Sequence, residues 1–212
     1  MNRHQLMEKT CSVCCKNGEE IISLASGFVI LNKGQFIFIT ARHVLMDAKK
    51  LMIEKKFQSP LFLVWPERKI ETTLDSEPSN WNLNEQLDCA WYKLENIEGF
   101  DWESIRIPVM NELSFGDRTL WHSGFPLGVG NGAFSRPTIV TSFRVHEPGF
   151  CFTVDSGMGG FSGGPVAVLS IEQGIGFTYE HPTYGVIGVH TSTLTRNAGT
   201  MGRFSLLYKI LE

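Results

Sequence analysis

The run IISLASGFVILNKGQFIFIT, Ile21 to Thr40, reads as two apolar strands joined at Asn32, Lys33 and Gly34. β-Branched and aromatic side chains fill both arms, and the joining glycine can take the positive φ that a tight antiparallel reversal needs. The run therefore predicts a β-hairpin. Working outward from it, stretches of strand length recur between turn signals: SPLFLVW, RKIETTL, LDCAWYKL, RTLWHSGF, PTIVTSFRV, GFCFTV, GPVAVLSI and YGVIGVHTS. About ten short strands fit barrels or sandwiches far better than alternating strands and helices. Helical signal is scarce. A short turn is expected after Thr40 through ARHVLMD, and a helix near the C-terminus, where Leu206, Leu207, Ile210 and Leu211 recur at helical spacing. The polar stretch Asp75 to Gln86 reads as a surface loop, and Gly99 to Asp117 as the link between two halves of the fold.

Bulk properties narrow the function classes. A chain of 212 residues, 42% hydrophobic and 19% charged, is expected to form one compact unit rather than a disordered or fibrous one. A formal charge of -3 argues against a basic nucleic-acid surface, and no Lys/Arg run borders an amphipathic segment that would favour a membrane. The N-terminal stretch MNRHQLMEKTCSVCCKNGEE has no apolar run of the kind a secretion signal carries, so a cytoplasmic setting is expected. Five cysteines, three of them crowded at Cys11, Cys14 and Cys15, make a poor disulfide framework and suit a reducing compartment. A structural zinc site needs about four ligands, and no second Cys or His pair stands at finger spacing. Neither a metal nor a cofactor is expected.

The residues able to carry chemistry lie in three separate contexts. Ser162 sits in GGFSGGPV, Gly159 to Val166, where glycines permit a tight bend after the serine and Gly160 can present its N–H beside that of Ser162. Two donors aimed at one spot are what a developing oxyanion requires. A serine hydroxyl also needs a base, and His43, in FIFITARHVL, stands at the end of a strand run where a rigid element can position an imidazole. The base needs an orienting acid. Asp88, in EQLDCAWYKL, leads directly into an apolar strand, where a carboxylate is desolvated unless an imidazole or backbone donors receive it. Taken singly, His43 also reads as a structural histidine and Asp88 as a solvated loop aspartate.

Together the three contexts, in the order His, Asp, Ser, resemble the chymotrypsin-like (trypsin-fold) serine proteases, particularly the bacterial HtrA-like branch. The resemblance runs from about Ser26 to the C-terminus and rests on TARHV, LDCAWYKL and GFSGGPV. It implies an all-β fold of two perpendicular six-stranded antiparallel barrels: the first over about 20–105, the second over about 106–200, and a short helix over about 203–211. The triad His43, Asp88 and Ser162 would then lie in the cleft between them, with Gly160 and Ser162 forming the oxyanion hole. WHSGFPLG is similar to a Gly-x-Pro segment of HtrA-like chains, with a structural role. Two departures stand out. Phe161 occupies the place where secreted zymogens carry an aspartate that pairs with a freshly cut N-terminus, and the usual disulfides are missing; activation by cleavage is therefore not expected. The PDZ domain of most HtrA-like chains is also expected to be absent.

For substrate choice, Ser156 falls where trypsin-like enzymes hold the aspartate that selects Lys or Arg. Serine supplies no such charge, although Asp155 lies one residue away. His190, in YGVIGVHTSTL, falls where proteases that cut after Glu or Gln carry a pocket histidine, which can donate to a carboxylate or amide oxygen. A small apolar preference, with His190 satisfied locally by Thr191 or Ser192, is the competing reading. The expected function is a serine endopeptidase acting on polypeptide. The alternative is a catalytically idle trypsin-fold module that binds a peptide or partner protein. An α/β-hydrolase, whose Gly-x-Ser-x-Gly elbow GFSGG formally matches, needs interleaved helices and a histidine after the serine, and so fits poorly.

Overall fold

The computed structural model describes residues 1–17, 20–55, 58–74, 80–95, 100–110, 119–126, 134–138, 140–143, 149–153, 158–174, 176–180, 182–196 and 199–212. Helix α1 (Arg3–Lys9) opens the chain under a capping box, in which Asn2 Oδ1 accepts from Gln5 N and Gln5 Oε1 accepts from Asn2 N. It leads into β1 (Thr10–Asn17), which carries the cysteine cluster into the first sheet. The hairpin predicted over Ile21 to Thr40 follows as β2 (Glu20–Asn32) and β3 (Gln35–Ala41). Its turn places both Lys33 and Gly34 at positive φ, 49° and 80°, the conformation that suits the right-handed twist of paired strands.

After β3 comes α2 (Arg42–Lys55), far longer than the short turn expected. Leu, Met, Ala, Lys and Glu are strong helix formers, and Val44, Leu45 and Ala48 give the helix a buried stripe. The first sheet continues with β4 (Gln58–Trp65), β5 (Ile70–Leu74), β6 (Asn82–Asn84) and β7 (Cys89–Lys93). Its antiparallel order is β5-β4-β1-β2-β3-β7-β6. A short helix, α3 (Trp102–Ile105), precedes the second half, whose strands are β8 (Leu120–Gly124), β9 (Phe134–Thr138), β10 (Val140–Phe143), β11 (Phe150–Thr153), β12 (Pro165–Val168), β15 (Gly185–Arg196) and β16 (Gly199–Leu206). These form a second antiparallel sheet in the order β10-β11-β16-β15-β12-β8-β9, while β13 (Ile171–Gly174) and β14 (Phe177–Glu180) make a separate hairpin. Each large sheet has seven strands among the described residues, against the six per barrel that the resemblance implies; the edge strands β6, β9 and β10 are only three to five residues long. The C-terminal helix is present as α4 (Leu207–Leu211), with Arg203 to Leu206 completing β16 instead of opening the helix.

The hairpin's unbroken apolar arms have a physical reason: both faces of this sheet are covered. Val29 and Phe38 point into the core of the first half with Val13, Leu63 and Trp65, whereas their neighbours Phe28, Ile30, Ile37 and Ile39 pack into a seam with Ala167, Val186 and Val189 of the second. Segment 106–110 stitches the halves together, since Ile107 N donates to Val29 O at 2.8 Å and Met110 N to Val186 O at 3.0 Å. That apolar seam holds residues from the two halves in fixed register. All five cysteines are buried free thiols. Among the described residues, no helix is long and apolar enough to cross a membrane.

Candidate active site

His43 is the second residue of α2, held at the end of β3, and Asp88 sits immediately before β7, the strand that pairs with β3. Pairing of Ala41 with Cys89 therefore sets the two side chains next to each other. Asp88 Oδ2 lies 2.7 Å from His43 Nδ1, and Asp88 Oδ1 accepts from His43 N at 3.0 Å. The carboxylate thus grips both ring and backbone. Asp88 takes a left-handed φ of 51°, a conformation Asp tolerates better than most residues, and its carbonyl accepts from Arg42 N at 2.9 Å. From the second sheet, Ser205 Oγ donates to the neighbouring Leu87 O, so both halves of the fold fix this corner.

A carboxylate can only accept, so Nδ1 carries the ring proton and Nε2 keeps its lone pair. The hydrogen bond to Asp88 raises the His43 pKa above the ordinary histidine value; burial pulls the other way, and the charges of Asp88 and Asp47 add to the rise.

Ser162 lies across a cleft of about 370 Å³ lined by Ser23, Leu24, Ala25, His43, Val44, Asp47, Gly160 and Ser162. The structure thus brings Ser162 and Gly160 into the same cleft as His43. Among the described residues, Ser162 Oγ makes no hydrogen bond to the imidazole; catalytic hydrogen bonds of this kind commonly tighten only as substrate binds. The turn carrying the serine is tightly fixed. Phe161 N donates to Met158 O at 3.0 Å with Gly160 at φ 94°, the signature of a turn that favours glycine at its third position. Gly163 N donates to His190 O at 2.7 Å, and a Cβ on Gly163 would stand 2.2 Å from Ser26 O.

Phe161 is wholly buried where an activation aspartate would stand. Its ring lies 6.4 Å from that of His190 and 6.5 Å from that of His122, and a Cβ on Gly124 would meet its Cδ1 at 2.8 Å. The turn carrying Ser162 is therefore anchored by apolar packing. His190 is 3% exposed, donates from N to Gly164 O at 2.9 Å, and has its ring 5.3 Å from that of His122. It does not line the cleft around Ser162. Thr191 Oγ1 donates to Arg203 O. Ser156, the other residue expected at a specificity pocket, lies outside the described residues, as does Asp155.

Two residues at this site escape the sequence reading. Ser26, in β2, is wholly buried and bonds the serine turn directly: Ser26 N donates to Ser162 O at 2.9 Å and Ser26 Oγ to Gly160 O at 2.7 Å. His122, in β8, abuts His190. A hydroxyl set in the apolar arm of the hairpin is the signal for Ser26, whereas His122, beside Ser123 in a mixed strand, carries no comparable one.

A mostly β chain of two antiparallel sheets with this cleft between them has the trypsin-like double-barrel architecture. No family model matches the sequence, and no curated protein matches it either. Solved structures do: a serine endoprotease from Yersinia pestis aligns with 99% of this chain and 64% of its own length, at TM-score 0.62 and 16% identity. A thermostable serine protease from an extremophilic microorganism aligns with 95% of this chain and 92% of its own, at TM-score 0.59 and 12% identity. The serine protease of a human pathogenic astrovirus aligns with 94% and 90%, at TM-score 0.53 and 11% identity. The chain thus has the fold of trypsin-like serine proteases, and it spans less than two thirds of the Yersinia protein's length.

Proposed function

We propose that this chain is a serine endopeptidase of HtrA-like type that cleaves polypeptides through His43, Asp88 and Ser162. The observation that carries the reading is the Asp88–His43 pair, 2.7 Å apart at Nδ1, facing Ser162 across one cleft. In the forward step Ser162 Oγ attacks the scissile carbonyl carbon while His43 Nε2 takes the hydroxyl proton. The carbonyl oxygen becomes an oxyanion, received by the N–H groups of Gly160 and Ser162. His43 then gives its proton to the leaving amine nitrogen, the C–N bond breaks, and an acyl ester on Ser162 remains. Water, deprotonated by His43, releases the acid and restores the hydroxyl. Asp88 holds the tautomer and stabilises the imidazolium throughout.

The preference we propose is Glu or Gln before the scissile bond, with His190 as the donor to its side-chain oxygen. The His190 ring abuts Phe161, the residue directly before the nucleophile, and its backbone is bonded to Gly163 and Gly164 directly after it. A peptide-library cleavage profile tests both parts. Cleavage that is absent in Ser162→Ala and concentrated after Glu or Gln supports the reading. Cleavage unchanged by Ser162→Ala overturns the mechanism, and cleavage after small apolar residues overturns the pocket assignment.

A further inference from the structure

We infer that Ser26 is the positioning residue of the oxyanion turn, its hydroxyl holding the Gly160 carbonyl and thereby the direction in which the Gly160 and Ser162 N–H groups point. The inference rests on the serine-peptidase reading above. Ser26 belongs to β2 in the first sheet, whereas Gly160 and Ser162 belong to the second half of the chain. Its hydroxyl accepts from Phe125 N at 2.8 Å. A backbone N–H can only donate, so the serine proton is left for Gly160 O, which can only accept, at 2.7 Å. The donor direction is thus set by chemistry alone.

The consequence follows peptide plane by peptide plane. Glycine at φ 94° gives the turn freedom to rotate the plane joining Gly160 to Phe161. That plane is tied at both ends, its C=O to Ser26 Oγ and its N–H to Met158 O. The next plane is tied through Phe161 O, which accepts from Gly164 N at 2.8 Å, and the one after through Ser162 O, which accepts from Ser26 N at 2.9 Å. Ser26 therefore grips the carbonyls on both sides of Phe161. Among the described residues, the Gly160 and Ser162 N–H groups donate to no protein acceptor, so both remain for an oxyanion. Among the described residues, only the Ser26 side chain bonds the Gly160–Phe161 plane, and Thr40 Oγ1, donating to Ser26 O at 2.8 Å, holds Ser26 itself.

The test is the rate at which a fluorophosphonate labels Ser162, because phosphonylation places its phosphoryl oxygen in the same hole and needs no knowledge of the natural substrate. Ser26→Ala is compared with Ser26→Cys, which retains a weak donor of similar size, and with Thr10→Val. Thr10 Oγ1 donates to Leu6 O and accepts from Ser123 Oγ, so its loss removes buried hydrogen bonds without touching the carbonyls of Gly160 and Ser162. Rates are normalised to the folded fraction read by near-ultraviolet circular dichroism. Losing one oxyanion donor costs about 10²–10³ in rate, and partial misalignment of two should fall just below that, about 10- to 100-fold for Ser26→Ala. Ser26→Cys should recover part of the rate, and Thr10→Val should label at the wild-type rate despite lower stability. Labelling of Ser26→Ala at the wild-type rate, or slowed no more than Thr10→Val, overturns the inference. Failure of the wild-type protein to label at all instead overturns the peptidase reading beneath it.

Discussion

Gly163 and Gly34 share nearly the same positive φ, 84° and 80°, yet their surroundings are opposite. A Cβ on Gly34 meets nothing within 4 Å, whereas one on Gly163 would stand 2.2 Å from Ser26 O, 2.2 Å from Thr40 Oγ1 and 2.8 Å from Ala41 N. Alanine at either position pays for the left-handed conformation, about 1–2 kcal/mol. At Gly163 it also collides with backbone that is already hydrogen-bonded, so the turn must move, at an overpacking cost of about 1–3 kcal/mol. For a chain of this size each kcal/mol lowers the melting temperature by about 2–4 °C, so Gly163→Ala should melt roughly 2–12 °C below Gly34→Ala. Thermal unfolding followed by circular dichroism makes the comparison directly. Because the displaced atoms belong to the seat of Ser162, Gly163→Ala should also lose fluorophosphonate labelling, while Gly34→Ala keeps it. Equal melting temperatures for the two variants would refute the reasoning, for they would mean that the serine turn is not seated against β2 and β3.

Ser162→Ala and His43→Ala should each lower turnover by roughly four orders of magnitude or more, as members of one unit do, measured on whichever peptide the library profile selects. Since His43 must be neutral to accept the serine proton and Asp88 raises its pKa, acylation should rise with pH through an inflection above the ordinary histidine value. Asp88→Asn removes that support and leaves burial, so the imidazole inflection seen by NMR should move down while turnover falls about 10⁴-fold; an unmoved inflection would contradict the pairing. The same shift means that the stability contributed by the His43–Asp88 pair is full below the unfolded histidine's pKa and fades as pH rises through the folded one. His190→Ala should weaken cleavage after Glu or Gln while leaving fluorophosphonate labelling intact, whereas equal loss on every substrate would make His190 purely structural.

The hairpin over Ile21 to Thr40 was legible because unbroken apolar arms and a Lys-Gly turn are local signals, and the three contexts that meet at the cleft because a glycine-flanked serine, a strand-end histidine and a strand-leading aspartate are local too. What could not be read depends on partners distant in sequence. Strand β1 lies in a polar-looking, cysteine-rich stretch, yet Cys11, Val13 and Cys15 are buried because β2 and β4 flank it on both sides. The segment from Arg203 to Leu206 carries helical spacing but joins β16, since β11 and β15 offer it backbone partners on both edges. Length was missed in α2 for a different reason: its lysines blur the apolar stripe that Val44, Leu45 and Ala48 form. Ser26 looked like one polar residue in a strand until Gly160, 134 positions away, was found against it.

The central claim, that Ser162 is a nucleophile activated by His43 and Asp88, is tested most directly by mapping a fluorophosphonate adduct by mass spectrometry on the folded protein. The account predicts a single adduct on Ser162 in the wild type and none in His43→Ala. An unlabelled wild type, an adduct on another residue, or undiminished labelling of His43→Ala would contradict it.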